Sequence, residues 1–181
     1  MNVATSSVFR SAENVLQTFM SEVTPEGLDL EASGSDAATG PVIWNLPGFC
    51  GAARVGTAFG DLPIEALRLR DEIRTSAGSM VRVKWIDKLH LDAGFINRHP
   101  DSQPIRISAN SLGRGRPMKD MLVAPRQELC VDPHVVTRFQ TALDLYAQAR
   151  AHRVQSNGLT YYRFHCGEPV CVRVEGVWVR V

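Results

Sequence analysis

The chain has 181 residues, 44% of them hydrophobic, 22% charged and 7% aromatic, with a formal net charge of +1 at pH 7. That length is room for one domain with a small appendage, and that composition builds a core rather than a disordered chain. A charge near zero excludes a globally basic nucleic-acid binder. The absence of any apolar run near ~18 residues excludes an ordinary membrane-spanning helix.

The charge is unevenly placed. Residues 1–53 hold one basic residue, Arg10, and six acidic ones (Glu13, Glu22, Glu26, Asp29, Glu31, Asp36), a net of −5 that leaves +6 for residues 54–181. The split marks the first segment as a separate element. Val8, Phe9, Ala12, Val15, Leu16, Phe19 and Met20 recur at spacings of three and four, which predicts an amphipathic helix ended by Pro25. Residues 26–41 are small, polar and Gly-containing and read as a linker. The expected division is an N-terminal helical arm with linker over 1–41 and a β domain over 42–181. No basic n-region precedes an apolar stretch at the N-terminus, so a cytoplasmic location is the default expectation.

From Val42 onward the pattern changes to short runs of β-formers between turn residues. Strands are expected at Pro41–Leu46, Ala53–Ala58, Ile73–Thr75, Met80–Ile86, Pro104–Ser108, Met121–Ala124, Leu129–Val131, Leu159–His165, Val170–Val174 and Val177–Val181. Glu175-Gly176 between two Val-rich runs predicts a tight hairpin. Helical patches are expected at Ile64–Leu69 and Val136–His152. The fold class is therefore all-β, with the helical arm added at the front.

The four cysteines, Cys50, Cys130, Cys166 and Cys171, form no C-x-x-C pair. Cys50 in Pro47-Gly48-Phe49-Cys50-Gly51 is the candidate nucleophile, set against the alternative of a small buried hydrophobe. His165, Cys166 and Cys171 supply three metal-type ligands at an odd interval, and neighbours on a strand point to opposite faces, so no metal site is expected. The arginines of Gly113-Arg114-Gly115-Arg116-Pro117 read as a loop tip rather than an anion cradle, because Pro117 removes a donor. His90, His99, His134 and His152 stand singly. No cofactor is expected.

Five blocks in order carry a family resemblance: Gly48-Phe49-Cys50-Gly51-Ala52-Ala53-Arg54-Val55-Gly56-Thr57 with Ile64-Glu65-Ala66-Leu67; Val83-Lys84-Trp85-Ile86; Pro104 to Gly113; Asp120 to Leu129; and Leu159-Thr160-Tyr161-Tyr162-Arg163. Together, residues 48–176 resemble the bacterial branch of the Hint (Hedgehog/intein) autoprocessing domains. The resemblance implies a β fold and an N-to-S acyl shift. In that reaction a first-block cysteine attacks the preceding carbonyl, and a histidine in a Ser/Thr-x-x-His motif handles the leaving amide proton. Aligned without gaps, the cysteine position falls on Gly48, the hydroxyl residue on Ala124 and the histidine on Gln127. Glycine offers no nucleophile, and a glutamine amide does not exchange a proton near neutral pH. The expectation is a Hint-like domain without catalysis, leaning away from enzyme activity. It acts as a protein-binding or assembly module with a protein partner, or self-associates through the arm, and does not bind nucleic acid. The alternative is self-cleavage using Cys50, which needs a two-residue slip in the first block.

Overall fold

The structure, a computed structural model, describes residues 10–11, 44–132 and 134–181. Two sheets form the body. The first runs β1 (Arg10–Ser11), β7 (Trp85–Leu91), β13 (Leu159–His165), β2 (Phe49–Cys50), β9 (Met121–Val123), β8 (Ile105–Ile107), β12 (His152–Arg153). The second runs β11 (Phe139–Thr141), β10 (Glu128–Cys130), β15 (Val177–Arg180), β14 (Cys171–Val174), β3 (Arg54–Thr57), β5 (Glu72–Arg74), β6 (Met80–Arg82), with β4 (Gly60–Pro63) on β3 beside that path. Every pairing between these strands is antiparallel except β1 on β7. Among the described residues the helices are α1 (Ala93–Arg98) and α2 (Ala142–Ala147), with short 3-10 turns at Ile64–Ala66 and Pro100–Ser102. The expected all-β class is what the residues form.

The period of two along each strand builds two cores. The main core lies between the sheets: Phe49, Ile105, Ile107, Met121, Val123 and Phe164 from the first meet Val55, Ile73, Leu129, Val172, Val174, Val177 and Val179 from the second. A second cluster of Trp44, Leu46, Leu89, Leu91, Phe95, Ile96, Ala124 and Tyr161 covers the other face of the first sheet. Alternation along β13 therefore sends Tyr161 to the small core and Phe164 to the large one.

The final hairpin follows the sequence closely. β14 and β15 pair Cys171 to Arg180 through Val174 to Val177. Glu175 and Gly176 turn at φ 48° and 80°, both left-handed, as a two-residue hairpin of this hand requires. A Cβ on Gly176 would come within 2.9 Å of the Gly115 carbonyl oxygen, so the turn needs glycine for space as well as for φ. The Glu175 carboxylate is buried and accepts the Arg54 backbone N–H at 2.9 Å.

Several expectations are corrected. The single strand foreseen over Met80–Ile86 is two, β6 and β7, because the chain changes sheets between them. Val83 exchanges backbone bonds with Asp71 and Arg70, while Lys84 donates to His165 in the other sheet. The long helical patch over Val136–His152 shrinks to α2, and its first part becomes β11 paired with β10. Thr141 caps α2 in a capping box with Asp144. The hydrogen bonds from Thr141 hold the Asp144 carboxyl below its usual range. Of the strand expected over Pro41–Leu46, the described part, Trp44–Leu46, is irregular, with Trp44 Nε1 donating to the Leu46 carbonyl at 2.9 Å. The expected arm helix lies outside the described residues except for Arg10 and Ser11, which form β1.

Candidate functional site

The first sheet brings the two chemically suggestive segments together. β2 is two residues long and sits between β13 and β9, with Cys50 opposite Tyr161 and Phe49 opposite both Tyr162 and Val123. Just before it, the Gly48 carbonyl accepts the Ala124 N–H at 2.8 Å. Ala124 opens a turn in which Gln127 N–H donates back to the Ala124 carbonyl at 3.0 Å. Gly48, Cys50 and Ala124 are thus neighbours across one pairing.

Gly48 is packed in. A Cβ placed there would stand 3.2 Å from Tyr161 Cβ and 3.3 Å from Arg163 Cγ. Any side chain at this position must push both neighbours back.

Cys50 alternates with Phe49, so its thiol packs against the Trp44–Tyr161 cluster, not into the main core. Burial pushes its pKa up to about 12. A thiolate is the nucleophilic form, so this environment suppresses reactivity. We expect alkylation of Cys50 by iodoacetamide at pH 8 to be about 10³-fold slower than that of free cysteine, since thiolate would be about one part in ten thousand. The rate should climb about tenfold per pH unit towards the raised pKa, followed by mass spectrometry of the Cys50 peptide. A plateau in the range of an ordinary thiol would contradict the burial argument. The raised pKa also means that Cys50's contribution to stability is complete below the unfolded thiol's range and is lost as pH rises towards about 12.

Gln127 is 1% exposed, and its carboxamide nitrogen donates to the Glu128 carbonyl at 3.2 Å and to the Arg180 carbonyl at 3.0 Å. Its side chain ties the turn after β9 to the end of β15, and its N–H groups are committed to backbone oxygens. The histidines hold other posts. His90 Nδ1 is 3.1 Å from Thr160 Oγ1, His165 Nδ1 accepts the Gly167 N–H at 2.8 Å, and the His99 ring lies on Phe95 at 4.5 Å between centroids. His134 and His152 are exposed.

Two neighbours of this strand carry weight that the sequence does not signal. Tyr161 is fully buried beside Trp44, and its hydroxyl donates to the Ser102 carbonyl at 2.8 Å. Glu65 is placed so that a Cβ on Gly51 would collide with its Oε2, with Tyr162 Cε2 only 3.1 Å from the same point. Burial, then the neighbouring Glu65 carboxylate, raises the Tyr162 pKa. Only the Ile64-Glu65-Ala66-Leu67 block points to Glu65. Elsewhere, Cys166 is buried in the main core and burial raises its thiol pKa. Among the described residues no group of three or more His, Cys, Asp or Glu is placed to share a metal ion. No helix there is long and apolar enough to cross a membrane.

Residues 47–180 match a family model described as Hint domain. Among solved structures, the chain is similar to the MchDnaB-1 intein at 10% identity and a TM-score of 0.48, covering 73% of this chain and 98% of that one. It is also similar to a DnaB intein from Synechocystis sp. PCC 6803 at 9% identity and a TM-score of 0.49, covering 75% and 99%. No curated protein sequence matches.

Proposed function

Given that the chain belongs to the Hint domain family, we propose that it is a member that does not cleave itself and that works as a protein-binding or assembly module. The observation that carries this reading is the state of Gln127: a buried amide bound to two carbonyl oxygens. It stands where the family resemblance puts the proton-handling histidine. Loss of general acid–base help typically costs about 10²–10⁴-fold in rate, and an amide has no proton to exchange at neutral pH. The glycine at position 48 supports the same reading, because no nucleophile is carried there. Cys50 does not compensate, since its thiol is held protonated by burial.

The binding role is supported by surface and charge. Phe59 is 97% exposed at the tip of the β3–β4 hairpin, and Leu69 and Met80 are also exposed. The net −5 of residues 1–53 stands against a net +6 in the remainder, which suits the acidic segment to contacts with basic surfaces.

The test is intact mass after overnight incubation, alone and with dithiothreitol or hydroxylamine. The chain is expected to stay whole in every condition, and Cys50→Ala to behave identically. A fragment beginning at Cys50, lost in Cys50→Ala, would overturn the proposal in favour of self-cleavage at the Phe49–Cys50 bond.

A further inference from the structure

The connection from β12 to β13 holds an Asn-Gly pair, Asn157-Gly158, and both residues are exposed. The chain is fixed on either side of it. Before it, the Ser156 N–H donates to Gln103 Oε1 at 2.9 Å, and Gln103 Nε2 donates to the Ser156 carbonyl at 3.2 Å. After it, Leu159 opens β13 opposite Leu91. The pair itself is lightly held. Among the described residues, no hydrogen bond engages the Asn157 carboxamide. The Gly158 N–H reaches only Ser156 Oγ, at 3.4 Å. Gly158 also has no side chain to shield its nitrogen. The other asparagines among the described residues lack this combination. Asn110 Oδ1 accepts the Gly115 N–H at 2.6 Å, and the amide that follows it, Ser111 N–H, donates to the Ser108 carbonyl at 3.1 Å. Asn97 lies within α1. Asn45 precedes Leu46, whose side chain is buried in the second cluster.

We propose that Asn157 is a self-modification site, at which the chain converts its own asparagine to isoaspartate and aspartate through a succinimide. Asparagine is a thermolabile side chain, and here the attacking amide is unshielded. The Gly158 nitrogen gives up its proton to hydroxide or water and attacks Asn157 Cγ. The new N–Cγ bond closes a five-membered ring, the Cγ–Nδ2 bond breaks, and the nitrogen leaves as ammonia. Water then opens the ring. Opening at Cγ gives aspartate; opening at the backbone carbonyl carbon gives isoaspartate, whose main chain runs through Cβ and Cγ. Water is the co-reactant, and nothing is oxidised or reduced. Either product puts a carboxylate where a neutral amide stood. Isoaspartate also adds a carbon to the main chain between the Ser156 tie and the first residue of β13, the strand that carries Tyr161. This chemistry needs neither Cys50 nor Gln127 and is independent of the proposed function.

The experiment ages the full chain at neutral and at mildly alkaline pH. Peptide mapping with electron-transfer fragmentation then separates asparagine, aspartate and isoaspartate at each position. Conversion at Asn157 is expected to run at least about tenfold faster than at Asn45, Asn97 or Asn110 in the same samples, because those sites must open locally first. It should be faster at the higher pH, since the deprotonated nitrogen is the attacking form. Gly158→Ala is the sharpest variant. A Cβ there meets nothing closer than the Leu91 carbonyl oxygen at 3.7 Å, an ordinary contact, so the fold is kept. This variant should convert several-fold more slowly, because its methyl group crowds the nitrogen. Asn157→Gln should stay unmodified over the same period, because its ring closure is less favourable. Circular dichroism of each sample checks that the chain is folded. An unmodified Asn157, conversion no faster than at Asn110, or the parental rate in folded Gly158→Ala would each overturn the site. So would a chain break after Asn157, which requires the side-chain nitrogen to attack the backbone carbonyl instead.

Discussion

Replacing Gln127 by glutamate is expected to lower the stability of the chain by roughly 3–5 kcal/mol near pH 7, the range seen when a buried charge is left without a partner. In the native site two N–H groups reach the carbonyl oxygens of Glu128 and Arg180 at 3.2 and 3.0 Å. A carboxylate there would set oxygen against oxygen in a position 1% exposed. Burial and the two carbonyl dipoles both favour the neutral acid, so the introduced carboxyl would have a folded-state pKa above its unfolded value of about 4.3. The sign follows directly. Below about pH 4 both states hold the proton and the penalty is small; above it the unfolded state ionises freely, and the penalty grows by about 1.4 kcal/mol per pH unit until the folded pKa is passed. Urea unfolding of Gln127→Glu and the parent, at intervals from about pH 4 to about pH 7, reads this difference. A gap below about 1 kcal/mol throughout would show that the Gln127 amide is not committed as described. The functional corollary concerns Gln127→His. An imidazole would keep at most one of the two ties when neutral, so an acid–base group enters this position only by loosening the link between the turn after β9 and the end of β15.

The parts of the fold that can be read from sequence are those whose cause is local. Cys171–Val174 and Val177–Arg180 alternate in polarity around Glu175-Gly176, and turn chemistry and strand period point the same way. Leu159–His165 is likewise legible, and its Tyr161 and Phe164 feed opposite cores. The misread parts have distant causes. Nothing within Met80–Ile86 announces that Val83 will bond to Asp71 and Arg70 while Lys84 bonds to His165. Phe139, Leu143 and Tyr146 stand at helix spacing, yet Phe139 is taken into the sheet opposite Cys130 and lies under the Arg180 guanidinium at 4.5 Å. The helix α1 does carry a local signal, which the strand pattern around it obscures: Asp92 caps it by accepting the Phe95 N–H at 2.7 Å.

The candidate site is legible as a set of positions and not as an environment. The family resemblance picks out Gly48, Ala124 and Gln127 beside Cys50, and the Gly48–Ala124 hydrogen bond joins the two segments. What sequence does not supply is direction. That the Gln127 amide faces Glu128 and Arg180, and that the Cys50 thiol faces an aromatic cluster, both depend on contacts made across long stretches of chain. The residues around Cys50 are glycine-rich and small, as in an open loop; the fold instead closes the segment with Trp44 and Tyr161.

Tyr161 tests that closure. Tyr161→Ala is expected to cost roughly 3–5 kcal/mol, as for a large aromatic removed from a core, while Tyr161→Phe should cost about 1–2 kcal/mol for the Ser102 carbonyl left without its donor. The ring is fully buried between Leu89, across the β7 pairing, and Trp44, with the Trp44 ring 5.7 Å away. The Trp44 backbone N–H in turn donates to Asp101, and the Tyr161 hydroxyl holds Ser102 next along the chain. One side chain therefore fastens the entry segment, the 3-10 turn at Pro100–Ser102 and the centre of the first sheet. Removing the ring also opens the wall beside Cys50, which loses part of the burial that keeps its thiol protonated. Thermal or urea unfolding gives the stability, and iodoacetamide labelling of Cys50 in the same variants gives the second readout. The alanine variant should label faster than the parent at about pH 8 while still folded, and the phenylalanine variant should label at the parental rate. Equal labelling in all three would mean that something other than the Tyr161 ring shields Cys50.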